Sequence, residues 1–150
     1  MKIIRATLDQ LEQTHALLNE YFEAIDVVVR DTREGVKAFL GEPDHALWLA
    51  YVGDDVAGCV ALRPLPQIEG AAECKRLYVR PGHRGLGIAE ALLDAMEAHA
   101  AAGARRWVYL DSKAGLDAAI HLYKKRGYTA CGRYNDNPEA IIFLRKAITT

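Results

Sequence analysis

The chain has 150 residues, 51% of them hydrophobic, with 19 Lys+Arg against 20 Asp+Glu and a net charge of −1. That length and hydrophobic share predict one domain, residues 1–150, with a substantial core, and the balanced charge argues against a dedicated nucleic-acid binder, which carries a basic excess. Three scattered cysteines, Cys59, Cys74 and Cys131, form no C-x-x-C pair and no zinc-type spacing, so free thiols in a reducing compartment and no metal site are expected.

In chain order, KIIRA (2–6) reads as a first strand. Thr7 and Gln10 match a capping box, and Leu8, Leu11, Leu18, Phe22 and Ile25 then recur at helical spacing. A short helix is expected from Thr32 to Leu40, stopped by GEP. ALWLAYV and VAGCVAL flank Gly53-Asp54-Asp55, a hairpin signal. After the loop RPLPQIEG, ECKRLYV reads as a strand. A helix follows from about Leu86 to Ala102, with Gly103 suited to its C-terminal cap. RRWVYLD reads as a strand and LDAAIHLYKKRG as a second amphipathic helix, its last turn basic. YTACGRY and AIIFLRKAI close the chain as two strands around NDNPE.

The order β-α-α-β-β-β-α-β-α-β-β predicts an α/β protein whose mixed sheet carries helices on both faces. The N-terminus turns polar within a few residues and no apolar run approaches a bilayer span. A cytoplasmic location, with no signal peptide and no membrane or nucleic-acid partner, is therefore expected.

Chemistry concentrates in RPGHRGLGIAEALL (80–93), a glycine loop between a strand and a helix. A phosphate loop of the G-x-x-x-x-G-K-[ST] type fails, because Ile88 and Ala89 stand where Lys and Ser/Thr belong. The dinucleotide pattern G-x-G-x-x-G fails at Glu90, a carboxylate that would face pyrophosphate. The pattern Arg/Gln-x-x-Gly-x-Gly/Ala is filled by Arg84, Gly87 and Ala89. Bare amides at a helix start carry partial positive charge and bind phosphate oxygens. Gly85 and Gly87 let the backbone approach closely, and Arg80, His83 and Arg84 add positive potential. The structural alternative is a tight turn without a ligand.

In these residues the chain resembles the GNAT superfamily of acyl-CoA N-acyltransferases. AAIHLYKKRGY resembles that family's later segment, with Ala119, Leu122, Tyr123, Gly127 and Tyr128 in place. One position departs: Leu116 stands where many members carry Asn, removing a polar contact. The resemblance implies a mixed, mostly antiparallel sheet of six to seven strands, with two splayed parallel strands at 73–79 and 106–111. It implies acetyl-CoA as co-substrate, bound by the backbone of Leu77, Tyr78 and Val79 and by Arg84, Gly85, Leu86, Gly87, Ile88 and Ala89. It implies direct transfer to a primary amine, and it is compatible with a homodimer involving the last strand.

By the same resemblance Glu73 takes the general-base position and Tyr123 the general-acid position. A glutamate base needs a pKa raised toward neutrality, which desolvation in a cleft supplies. The alternative for Glu73 is a solvent-facing carboxylate paired with Lys75 or Arg76. A phenol stays protonated at neutral pH and can protonate a leaving thiolate; the alternative for Tyr123 is a core tyrosine. Cys74 offers a rival acyl-cysteine route, but alternation places it on the opposite face from Glu73. Asp111 either lines the acceptor site or caps the turn at Ser112, and His121 is expected at the surface. The loops Ala24–Thr32 and Tyr134–Glu139 are the candidates for acceptor recognition. A cleft near Leu62, Leu77 and Tyr109 is expected to set acyl-chain length. A non-catalytic acyl-CoA-binding or regulatory module on the same fold is the alternative function.

Overall fold

A computed structural model describes residues 1–148. Seven strands form one sheet: β1 (Lys2–Arg5), β2 (Ala46–Val52), β3 (Asp55–Pro64), β4 (Ala71–Val79), β5 (Trp107–Lys113), β6 (Thr129–Ala130) and β7 (Ala140–Ala147). Their spatial order is β1-β2-β3-β4-β5-β7-β6, and every pairing is antiparallel except β4 with β5. Four helices cover it: α1 (Leu11–Ala24), α2 (Arg33–Gly41), α3 (Ile88–Ala102) and α4 (Asp117–Lys125).

Local chemistry explains most boundaries. Thr7 and Gln10 form the expected capping box, here on a short 3-10 turn that leads into α1. The Thr32 hydroxyl accepts from the Gly35 amide and starts α2. Val52 pairs with Asp55, so the β2–β3 turn has two central residues, and Gly53 takes the left-handed conformation there (φ 60°). α3 begins at Ile88 rather than Leu86 because Gly87 is left-handed (φ 78°), outside helical space.

Alternation along the strands splits the core. Trp48, Val60, Leu62, Ala72 and Cys74 pack with Leu92, Leu93 and Met96 of α3. Leu47, Leu49, Cys59, Ala61 and Tyr78 pack with Leu17, Leu18 and Phe22 of α1 and Val36 and Phe39 of α2. The second face is covered only in part by α1 and α2. Toward β5 a small cluster of Leu65, Ala71 and Tyr109 lies under Tyr134 and Trp107. The gap between these two covers becomes the site.

Two irregularities shape that gap. β4 pairs with β5 only through Ala71–Trp107, Ala72–Val108 and Glu73–Tyr109, and the strands then part. On its other side β4 bulges: Lys75 to Tyr78 spans three steps against two from Ala61 to Cys59 on β3. Arg76 sits at the bulge with φ 64°, a conformation that costs a non-glycine residue about 1 kcal/mol or more. Gly58 permits the close approach here, since a Cβ would fall 2.5 Å from the Tyr78 carbonyl.

The expected strand YTACGRY shortens to Thr129–Ala130. Cys131 still donates to the Phe143 carbonyl, but Arg133 then turns its guanidinium onto the Asn137 and Ala140 carbonyls. The chain leaves the sheet edge and carries Tyr134 and Asn135 back over β4 and β5.

Candidate active site

Two cavities meet where β4 and β5 part. The first, about 670 Å³, is bounded by Val79, Arg84, Gly85, Gly87, Ile88 and Ala89 at the start of α3, with part of α4 opposite. The second, about 540 Å³, lies on the side of α1, with Lys75, Asp111 and the 135–139 turn among its walls. Tyr21, Ile25, Leu77, Leu116 and Ala119 border both.

The first cavity has the features of a pocket for an extended, phosphate-bearing molecule. Past Glu73, the β5-facing edge of β4 has no strand partner among the described residues, so it offers backbone groups to a guest, although the Val79 carbonyl is already taken by Arg84. Gly87 caps α3 without any side-chain hydrogen bond, leaving the first-turn amides unsatisfied. Gly85 and Gly87 are both left-handed, and each would give a Cβ open space. Their need for glycine is therefore conformational. Ile88 is buried and anchors the helix start, whereas Leu86 is exposed. Arg84 donates from Nε to the Val79 carbonyl at 2.9 Å, which holds its guanidinium against the cavity. Arg80 differs from expectation: it binds Glu20 at 3.0 Å and the Val56 carbonyl at 2.8 Å, tied to α1 and the sheet instead of the glycine loop. Leu77, Tyr78 and Val79 line this cavity, and the Tyr78 hydroxyl points away to Glu20.

The second cavity has a charged floor. The Glu73 carboxylate is 2% exposed and is not on the wall. It accepts from Arg63 Nε at 2.9 Å, Tyr134 Oη at 2.8 Å and Asn135 Nδ2 at 3.1 Å, with Lys75 Nζ at 3.4 Å. Lys75 also donates to Asp111 at 2.8 Å, and Asp111 accepts further from Asn135 and Asn137. Burial raises the Asp111 pKa, but the Lys75 charge and these hydrogen bonds outweigh it and hold the carboxyl below its ordinary value. Tyr134 stays a phenol: burial, then the Glu73 charge and its hydrogen bond, push it far up. The bulge places Lys75 and Arg76 on the same face, and Arg76 is clamped by Asp31 at 2.8 and 2.9 Å and lies over the Phe22 ring.

A GNAT family model, described as "Acetyltransferase (GNAT) family", matches residues 11–128. The chain belongs to the GNAT acetyltransferase family. It is 33% identical to "Probable N-acetyltransferase 14" of Xenopus tropicalis over 133 residues, 79% of this chain and 64% of that protein. It is 27% identical to "Uncharacterized N-acetyltransferase YsnE" of Bacillus subtilis, over 89% of this chain and 92% of that one. An acetyltransferase of GNAT family from Staphylococcus aureus Mu50 superposes with a TM-score of 0.84 at 16% identity, covering 99% of each chain, a likeness of fold.

Within this GNAT frame, Tyr123 is buried on α4 and borders the second cavity. Burial, reinforced by Cys74, Tyr21 and Asp111, pushes its pKa well up and keeps it a phenol. Its ring packs edge-on against Tyr128, which Glu97 anchors at 3.0 Å. Leu116, at the position where many GNAT members carry Asn, is the N-cap of α4 and makes no side-chain cap. It forms an apolar border between the cavities. Cys74 is fully buried, and burial raises its thiol to about 12, leaving no thiolate for an acyl-cysteine route. His121 is exposed, as expected.

Asp111 lines the cavity instead of capping the turn. Of the three residues expected to set cleft width, Leu62 and Tyr109 are buried in separate core clusters, and only Leu77 reaches a cavity. Sequence reasoning missed Arg63, and it placed Asp31 and Asn135 only within candidate acceptor loops, without their partners Arg76 and Glu73. No local pattern marks them, because each acts through a contact distant in sequence. Among the described residues, no helix is long and apolar enough to cross a membrane, and no group of three or more His, Cys, Asp or Glu could hold a metal ion.

Proposed function

We propose that this protein transfers the acetyl group of acetyl-CoA directly to a primary amine, the cofactor entering by the first cavity and the amine by the second. The observation that carries this reading is the shared border of the two cavities at the β4–β5 split. A thioester laid along the free edge of β4 ends where an amine from the other side can reach it. The uncapped start of α3 and the Arg84 guanidinium suit the pyrophosphate. The family membership supports the same donor.

The chain's groups then take defined parts. A backbone amide at the Arg76–Leu77 bulge stabilises the oxyanion as the N–C bond forms. Tyr123 gives its proton to the sulfur as the C–S bond breaks, and regains one from solvent. Glu73 is proposed as a positioning residue in place of the general base expected from sequence: its oxygens already carry Arg63, Tyr134, Asn135 and Lys75. A base needs a free lone pair aimed at the amine or a bridging water. The ammonium therefore loses one proton to water in the open second cavity before it attacks, and the nitrogen releases a second to water after the N–C bond forms, which balances the proton that Tyr123 regains.

The test is release of CoA thiol from acetyl-CoA across a panel of amines, amino acids and peptides, with CoA binding measured alongside. Amine-dependent release supports the reading. CoA binding with no release from any amine overturns it in favour of a binding module. The proton route is read from pH: kcat/KM should climb with pH toward the acceptor's own pKa, whereas a plateau near neutrality would restore a protein base.

A further inference from the structure

Among the described residues, the cations of the second cavity are all paired at their terminal nitrogens except one. Lys75 is held by Asp111 and Glu73. Arg76 gives two donors to Asp31. Lys113 donates its ammonium to the Ile25 and Asp26 carbonyls at 2.6 and 3.4 Å. Arg63 alone keeps most of its donors. Its Nε is fixed on Glu73 at 2.9 Å, and its two terminal nitrogens have no protein acceptor among the described residues. The side chain lines the cavity and is 38% exposed.

A guanidinium is a planar fork of five N–H donors. Anchored through Nε, Arg63 presents the remaining four in a fixed plane. Such a fork complements a planar oxyanion better than any neutral group. Lys75, Arg76 and Lys113 line the cavity already held by the partners just named, so Arg63 is the cation there with donors open to an anion. Asp136 and Glu139 line it with carboxylates that accept no side-chain hydrogen bond among the described residues. An acceptor carrying both a carboxylate and an ammonium suits this lining. Apolar side chains of Phe22, Ile25, Val27 and Val29 line the same cavity.

We propose, on the basis of the acetyltransferase reading above, that the acceptor is an amine bearing a carboxylate, an α-amino acid with an apolar side chain. Arg63 binds the carboxylate, the apolar side chain lies against Phe22, Ile25 and Val27, and the amine faces the junction of the cavities.

The experiment compares L-leucine and L-phenylalanine with their amides and with putrescine, by thiol release at fixed acetyl-CoA, with every kcat/KM expressed per unprotonated amine because an amino-acid amide has a lower amine pKa than its amino acid. For the wild type, kcat/KM should be at least about tenfold higher for the amino acid than for its amide, the value of one charge-assisted contact. Arg63→Gln should lower kcat/KM for the amino acids by about 10–100-fold more than for their amides, mainly through KM. Arg63→Lys, which keeps the charge without the fork, should fall between, and thermal melts of both variants check folding. Equal or better use of amides or putrescine by the wild type overturns the proposal, as does an equal loss on both substrate types in Arg63→Gln. Should no amine release thiol, the acetyltransferase reading fails by itself. Calorimetric titration of L-leucine against leucinamide into the CoA-saturated protein then still decides the carboxylate preference: tighter binding of leucine, lost in Arg63→Gln, upholds it, and equal binding overturns it.

Discussion

Asp31 grips Arg76 with two hydrogen bonds of 2.8 and 2.9 Å, and the two residues lie 45 positions apart. This pair joins the α1–α2 loop, a wall of the second cavity, to the one residue of β4 held in a left-handed conformation. Removing Asp31 leaves a largely buried guanidinium without its counter-ion and frees the loop. Asp31→Ala is expected to lose about 1–3 kcal/mol of stability, measured as a shift in the urea midpoint. It should also raise the acceptor KM more than the acetyl-CoA KM, because Asp31 touches the acceptor side of the bulge. An unchanged acceptor KM would show that the clamp has no part in shaping that side.

Tyr123, proposed above as the acid for the leaving sulfur, is kept protonated by burial. Tyr123→Phe keeps the ring and its edge-on contact with Tyr128 and removes only the hydroxyl. We expect kcat to fall by about 10²-fold or more while CoA affinity, followed by calorimetry, stays near wild type. A fall in affinity equal to the fall in kcat would mean that the hydroxyl binds the cofactor instead.

Gly87 has φ 78° and open space where a Cβ would stand. Gly87→Ala therefore meets no clash and pays only in backbone strain, about 1 kcal/mol. That strain is relieved by moving the amides at the start of α3. CoA binding should weaken several-fold with little change in the melting temperature. A loss of stability with intact CoA affinity would argue that the loop serves the fold and not a phosphate.

Asp111 carries a linkage prediction. Its folded-state pKa lies below the ordinary aspartate value of 3.8, because the Lys75 charge and hydrogen bonds from Lys75, Asn135 and Asn137 outweigh burial. In acid the unfolded chain therefore takes up the proton first, so stability falls as pH drops. The contribution is complete above about pH 4–5 and is lost below the ordinary value, toward the lower folded-state pKa. Urea midpoints taken from pH 6 down to pH 2.5 should fall more steeply for the wild type than for Asp111→Asn. Parallel curves would contradict the assigned shift.

Much of this molecule was legible along the chain. The capping box at Thr7 and Gln10, the short helix beginning near Thr32 and the hairpin at Gly53-Asp54-Asp55 are short-range signals, each satisfied within a few residues. The order of strands and helices follows from them and from hydrophobic periodicity. The glycine loop before α3 was legible for the same reason: its geometry belongs to consecutive backbone groups.

Tertiary structure decided the rest. Glu73 is an acid next to basic residues in sequence, and nothing nearby indicates that its carboxylate is filled by Arg63, ten residues before it, and by Tyr134 and Asn135, more than sixty after. Arg63 reaches it because β3 and β4 pair in a register that sets the two side by side. The other two arrive because the chain leaves β6 after Ala130 and returns over the sheet. A carboxylate's part in a site depends on how many of its lone pairs are already taken, and that count is fixed by register and by loop return. Sequence alone therefore determined where acetyl-CoA chemistry was to be expected, through local backbone geometry. Only the packed sheet decided which charges face the acceptor, because those charges are paired across its whole width.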